Sequence, residues 1–290
     1  MRRADPFWLA AAVLLLPLNI GVEAAIWLPV LRLVVPGARW AEAARAVVGG
    51  YPLGFFTPAR IGEFAGRAFT ISDQRRMEIG ISAAAARVPE LAVLLAAGAM
   101  TFLAAALRDT AAYPGSTVFT VSAVGAAIAV SMLYLIPGST EKLVRQFTSR
   151  RAILEKIRFL ERFDARMAAA LILLSTLRLL IFCSQFVLLA RSFDARHSTL
   201  TAYEAVISTF TAKSIIPAVT FLDLGIREGA ASFFFHHLGI GASVGFSAAL
   251  ALFVVNVIIP TLVGLLLVSK YRVGRPNQPV TESPSRAEAA

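Results

Sequence analysis

The chain has 290 residues, of which 57% are hydrophobic and only 16% charged, with a mean hydropathy of +0.71 and a formal net charge of +10. Those values exclude an ordinary soluble domain. The basic residues flank apolar runs instead of forming one basic face, which points away from nucleic acid and towards a membrane with its positive loops on one side.

Phe7 to Leu33 is the first run able to cross a hydrocarbon core, which needs roughly 20 residues. It has no small-residue cleavage site and is too long for the apolar core of a signal peptide, so it reads as a retained span, with Glu23 inside it.

Ala41 to Ile71 is also apolar but broken. Its centre, GGYPLGFFTPARIGEFAGR from Gly49 to Arg67, holds Thr57, Pro58, Arg60, Glu63 and Arg67. A lipid-facing helix tolerates neither the freed amides nor the charges, which cost on the order of several kcal/mol each, so the segment reads as a re-entrant hairpin beside a polar cavity. If the chain after Pro58 is helical, Arg60 and Glu63 are i, i+3 and Glu63 and Arg67 are i, i+4, an Arg-Glu-Arg ladder on one face. Such a ladder keeps positive charge in excess, with Glu63 holding two guanidiniums rigid for an anion such as a phosphate. The structural alternative is that it neutralises itself and pins the hairpin to its neighbours.

Ile79 to Leu107 is the second span. Arg87 and Glu90 lie in it at i, i+3 around Pro89 and, with Glu23, read as structural ion pairs. Thr117 to Ile136 is the third. The connection from Pro137 to Arg166 carries Lys142, Arg145, Arg150, Arg151, Lys156, Arg158, Arg162 and Arg166, the densest basic stretch, and is assigned to the cytoplasm. Met167 to Ala190 follows, with Arg178 near its centre and the lone Cys183, which has no disulfide partner and reads as packing. An arginine at that depth costs roughly 2.5 to 3.5 kcal/mol on insertion scales, so Arg178 must face the bundle interior and meet Glu63, Glu90, Asp223, Glu23 or a bound anion.

Leu200 to His237 is the second broken segment. Its centre, IIPAVTFLDLGIREGA from Ile215 to Ala230, gathers Pro217, Asp223, Arg227 and Glu228, with Lys213 just before it, as a second candidate site for an anionic headgroup. Adjacent helical residues point about 100° apart, so Arg227 and Glu228 are each expected to find another partner. The alternative is an interfacial loop with both solvated. His197, His236 and His237 lack metal-ligand spacing, and no phosphate loop, nucleophile elbow or zinc motif occurs, so no catalytic residue, metal or cofactor is assigned.

Ala242 to Val268 is the last span. Beyond it, residues 272–290, with the run GRPNQPVTESPSRAEAA from Gly274, read as a disordered tail, leaving 1–271 as one transmembrane domain. With each broken segment returning to its own side, Arg32, Arg39, Arg45, Arg75, Arg76, Lys270, Arg272 and Arg275 all fall in the cytoplasm and Arg2 and Arg3 outside. The two halves then have inverted topology, the layout of many transporters. The fold class is an all-α polytopic bundle with two broken-helix segments in an inverted repeat.

GGYPLGFFTPARIGEFAGR, LGIREGA and the ending FVVNVIIPTLVG together resemble the flippase-like transmembrane family related to the lysylphosphatidylglycerol synthase membrane region, over most of residues 7 to 268. Pro58, Gly62, Glu63 and Arg67 match its first motif, and Pro217, Gly225, Arg227 and Glu228 its second. The resemblance implies a helical bundle that moves a lipid or lipid-linked headgroup between leaflets of a bacterial-type inner membrane. Members commonly begin with an additional span, for which no counterpart is expected in these 290 residues, and no soluble aminoacyl-transfer domain of the synthases is expected in them either, so synthase activity is not carried over.

Two function classes lead, beside a third, a non-transporting scaffold for envelope synthesis. The first is a translocase holding an anionic headgroup with Arg60, Arg67, Arg178 and Arg227 while Glu63 and Glu228 orient them. The second is an intramembrane lipid-modifying enzyme or its membrane subunit, with Glu63 or Asp223 as general acid or base. Partners would be a membrane lipid, envelope-lipid synthesis enzymes and a second copy of the chain, without nucleic acid.

Overall fold

The computed structural model describes residues 4–108, 117, 121–122, 124–125, 155–215 and 222–273, which are helical or turn with no strand among them. Four helical stretches are long and apolar enough to cross a membrane: Pro6–Val34, Arg76–Leu107, Ala165–Phe193 and Ala242–Ser269. They coincide with four of the five expected spans. The fifth, Thr117 to Ile136, lies largely outside the described residues, as do most of the basic loop, Pro217 and the tail from Gly274 onward.

Helix α1 (Pro6–Val34) starts at Asp5, whose side chain accepts the amide of Phe7 at 2.9 Å, with Pro6 at a position where no N–H is needed. Helix α2 (Trp40–Phe56) stops because Pro58 forces Thr57 into an extended conformation, φ −114° and ψ 147°. A short 3-10 turn, Pro58–Arg60, leads into α3 (Gly62–Thr70), which packs back on α2 as a helical hairpin. The Thr57 hydroxyl clasps the turn, donating to the Leu53 carbonyl at 2.9 Å and accepting the Gly62 amide at 2.7 Å.

The hairpin closes on glycine. A Cβ on Gly50 would stand 2.7 Å from the Glu63 carbonyl oxygen, and one on Gly66 would stand 2.8 Å from the Gly50 Cα, so the two backbones touch where any side chain would part them.

The second span is made of α4 (Arg76–Ala85) and α5 (Arg87–Leu107), interrupted at Ala86. Pro89 has no N–H to return to the Ala85 carbonyl four residues back, which breaks the ladder there. Helix α6 (Ala165–Phe193) is capped by Asp164, which accepts the Met167 amide at 2.7 Å. Helices α7 (Thr199–Ile215) and α8 (Leu222–His237) pack on each other. The last span comprises α9 (Ala242–Phe253), a π-helical turn at Val254–Ile258, and α10 (Ile259–Val273). Pro260 removes the amide that would bond the Asn256 carbonyl, and the widened turn falls on that residue.

Two apolar clusters hold the helices together. One gathers α1, α2, α4 and α6 around Trp27, Leu31, Ile79 and Leu171. The other gathers α5 to α9 around Phe102, Phe186, Phe234, Phe235 and Leu252. Leu14, Leu173, Leu200 and Leu266 stay exposed, and those on the spanning helices suit a chain whose outer solvent is hydrocarbon.

Candidate functional site

Between the spans the charged residues converge. Helix α1 supplies Glu23, α3 supplies Glu63 and Arg67, α5 supplies Arg87 and Glu90, and α6 supplies Arg178. Glu23, Glu63 and Arg67 are 1%, 2% and 1% exposed. One oxygen of Glu23 accepts from Arg67 and, at 2.6 Å, from Arg87; the other accepts from Arg178 at 2.5 Å and from the Tyr51 hydroxyl at 3.3 Å. Glu63 Oε1 accepts from Arg67 and, at 2.6 Å, from Arg87. Glu90 Oε2 takes Arg87 Nη1 at 3.0 Å and Arg178 Nη1. Each carboxylate thus serves at least two guanidiniums. That is the condition under which buried charge is tolerated, since an uncompensated buried ion costs several kcal/mol.

Arg178 meets Glu90 and Glu23, two of the partners its depth demanded. Arg87, Glu90 and Glu23, read from sequence as separate structural pairs, belong to the same network as Glu63 and Arg67. The ladder differs from its expected form. Helix α3 begins only at Gly62, so Arg60 lies in the preceding turn, and its Nη2 still reaches 3.1 Å from Glu63 Oε2.

Arg60 stands apart in three ways. Its φ of 58° is the left-handed backbone that non-glycine residues avoid, and no other described non-glycine residue has a positive φ. Among the described residues its buried Nε has no hydrogen-bond partner, and its buried Nη2 has only the ion-pair contact with Glu63 Oε2. Its side chain is 38% exposed, with the guanidinium 4.9 Å from the Tyr51 ring centre. With Arg60 included, four guanidiniums face three carboxylates, and the positive charge in excess sits at the open end of the cluster. Thr57 and Pro58 shape the turn that holds Arg60 there.

A second polar layer adjoins this one. Arg178 Nε donates to Asn19 at 3.1 Å, and Asn19 donates in turn to Gln185 at 3.1 Å and to Asn256 at 3.2 Å. Asn256, in the π turn, closes the triangle on Gln185 at 3.2 Å, and Gln185 donates to the Ala12 carbonyl at 3.1 Å. The charge cluster is thereby tied to the irregular turn of the last span. Asn19, Gln185, Asn256 and Tyr51 were not among the expected site residues. Their signal was an amide or hydroxyl inside an apolar run.

The second motif corrects the sequence reading. Arg227 and Glu228 are both buried in α8, at 7% and 4% exposure, and they pair with each other: Arg227 Nε lies 3.1 Å from Glu228 Oε1, and Nη2 donates to the same oxygen. The 100° divergence applies to the Cβ directions; the long guanidinium arm folds back across it. Both residues are helical, which removes the solvated-loop alternative. The Arg227 guanidinium lies 5.1 Å from the Phe253 ring centre, and Phe253 stacks with Phe55 of α2 at 6.5 Å, so two rings join this pair to the hairpin turn. Lys213 is half-buried near the end of α7, and Asp223 stands in the first turn of α8. Among the described residues, no three His, Cys, Asp or Glu are grouped to hold a metal.

Outside the spans, Asp73 accepts from the Arg75 amide at 2.8 Å and from its guanidinium at 3.0 and 2.8 Å. Those bonds hold the Asp73 carboxyl down at about 2.

A family model described as the lysylphosphatidylglycerol synthase TM region matches residues 1–264. No curated protein and no solved structure matches the chain.

Proposed function

This chain belongs to the lysylphosphatidylglycerol synthase transmembrane-region family, and from that premise we propose that it is a lipid carrier which passes an anionic headgroup between leaflets, with Arg60 as the first group to engage it. The family and the apolar helices make it a multi-pass membrane protein linked to lipids. The observation that carries the finer reading is Arg60, a guanidinium whose buried Nε is unused and whose Nη2 has only the Glu63 ion pair, held in a strained turn at the mouth of a cluster with one positive charge too many. Strain of that kind costs on the order of 1–3 kcal/mol and accumulates where a ligand is received. A guanidinium fork suits phosphate oxygens.

The remaining cations have a different part. Arg67, Arg87 and Arg178 are held by carboxylates and serve as a fixed positive background behind Arg60. The hairpin of α2 and α3 is the re-entrant element of this reading, entering from the cytoplasmic side, and α7 with α8 its inverted counterpart. A headgroup-exchange assay in proteoliposomes tests the proposal. Transfer of an anionic lipid probe between leaflets, without chemical change and slowed in Arg60→Ala, is the expected result. Chemical conversion of the probe, or unaltered exchange in the variant, overturns it.

A further inference from the structure

The buried pair of the second motif is built asymmetrically. Two of the three Arg227 nitrogens, Nε and Nη2, donate to the same Glu228 oxygen, Oε1. Glu228 Oε2 is buried and has no hydrogen-bond partner among the described residues. Roughly 90% or more of buried polar groups have a partner, and leaving one bare costs about 1–3 kcal/mol, more where it is charged. Glu23 is the contrast, with both oxygens filled. In this arrangement Arg227 has its charge returned by its neighbour and presents none to a ligand, although it lies against Phe253 and, through it, beside the hairpin turn.

We propose that Glu228 is a proton-binding site that switches Arg227 between a self-neutralised state and one open to an anionic headgroup. A proton taken from water onto Oε2 removes the carboxylate charge and loosens the grip of Oε1. Arg227 is then a buried cation without a counter-ion, which the phosphate of a lipid headgroup supplies. When the headgroup leaves, the proton returns to water and the pair closes. Proton and headgroup bind with positive coupling, each raising the affinity of the other by the same factor. The lipid identity of the anion rests on the carrier reading; the proton site rests on Glu228 alone.

The helices packed on α8 offer few rivals for that proton. Helix α9 carries no titratable side chain. Helix α7 contributes Tyr203, Glu204 and Lys213, and Glu204 receives Arg108 at 2.9 Å. Helices α5 and α6 touch α8 through Phe102 and Phe186. Their Arg87, Glu90 and Arg178 belong to the first cluster, Arg191 donates to Thr199 at 2.5 Å, and Cys183 is a buried thiol. On α8 itself Asp223 lies in the first turn, and His236 and His237 lie in the last.

The test places the full chain in phosphatidylcholine nanodiscs containing a fluorescent phosphatidylglycerol, and reads binding by energy transfer from the native tryptophans. Between about pH 8 and about pH 4 the probe keeps its phosphodiester charge while the medium enters the range in which carboxyl groups take up protons. Apparent affinity should rise about tenfold on acidification, a typical coupling. Glu228→Gln should be flat across that range at the acid value, and Arg227→Gln flat at the weak value. A folded Glu228→Gln protein that keeps the wild-type rise overturns the proposal and assigns the effect to another group such as the histidines; so does a rise that survives Arg227→Gln. Arg60→Ala separates the two readings. It should bind more weakly at both ends and keep the rise, whereas unchanged affinity with the rise intact would sink the Arg60 site and leave the proton site standing.

Discussion

Arg178 Nη2 lies 2.5 Å from Glu23 Oε2, across 155 positions of sequence and between two spanning helices. Glu23 also receives Arg67 of α3 and Arg87 of α5, so one carboxylate fastens four elements at once.

Removing it should therefore be costly everywhere. Glu23→Ala leaves three guanidiniums short of an acceptor in a dry interior, and loss of one partner from a buried network is worth about 3–5 kcal/mol. Thermal unfolding in detergent should show a large drop in Tm, and a variant as stable as the wild type would mean that water or another carboxylate takes over.

Arg60 and Arg67 should separate cleanly. Arg67→Ala empties a fully buried position and should lower stability about as much as Glu23→Ala. Arg60→Ala removes a half-exposed, under-bonded side chain from a strained position and should leave stability within about 1 kcal/mol of the wild type. In the same protein, lipid retained through purification, counted by native mass spectrometry, should fall by about tenfold or more. Arg60→Lys should restore part of it, since the charge returns without the fork. Equal retention in all three would leave the site without a ligand role.

Much of this was legible in the chain because charge in hydrocarbon is expensive. Arg178 declared its own inward orientation, and the i, i+4 spacing of Glu63 and Arg67 gave their pairing directly. Asn19, Gln185 and Asn256 gave no comparable signal, since an uncharged amide costs too little in a span for its presence to imply partners. Their meeting depends on how α1, α6 and the last span pack, which no local pattern encodes. Arg227 and Glu228 were misread for the opposite reason: a rule about helical spacing was applied to side chains long enough to escape it. The joining of Glu23, Glu90 and Arg87 to the first motif likewise needed the tertiary fold, because spacing links only residues on one helix.

Topology is open to a direct test on a Cys183→Ser background. A cysteine introduced between Phe55 and Arg60 should react with a membrane-impermeant maleimide added on the cytoplasmic side, and one introduced between Ile216 and Thr220 with reagent added outside. Labelling of both from one side would remove the inverted-repeat reading while leaving the charge cluster intact.

The loop between α3 and α4 should respond to acid in a defined direction. Because Arg75 holds the Asp73 carboxyl at about 2, below its ordinary value near 3.8, the pair contributes stability above the ordinary value and loses it as pH falls through the lower one. Asp73→Asn should cost no more than about 1 kcal/mol near neutrality, given solvent screening at an exposed pair. The difference between variant and wild type should shrink as pH falls below the ordinary value and vanish below about 2. Melting curves across that range check it, and a gap that widens in acid would contradict the assignment.

The contact of Gly50 with Gly66 has a mechanical meaning. Two helices that meet backbone to backbone at that point, with the Glu63 and Arg67 side chains flanking the seam, resist sliding because a shift of register would drive side chains against it. The α2–α3 hairpin is consequently expected to behave as one rigid wedge between its neighbours, so that on the carrier proposal a headgroup beside Arg60 would be admitted by a tilt of the pair more readily than by its unzipping.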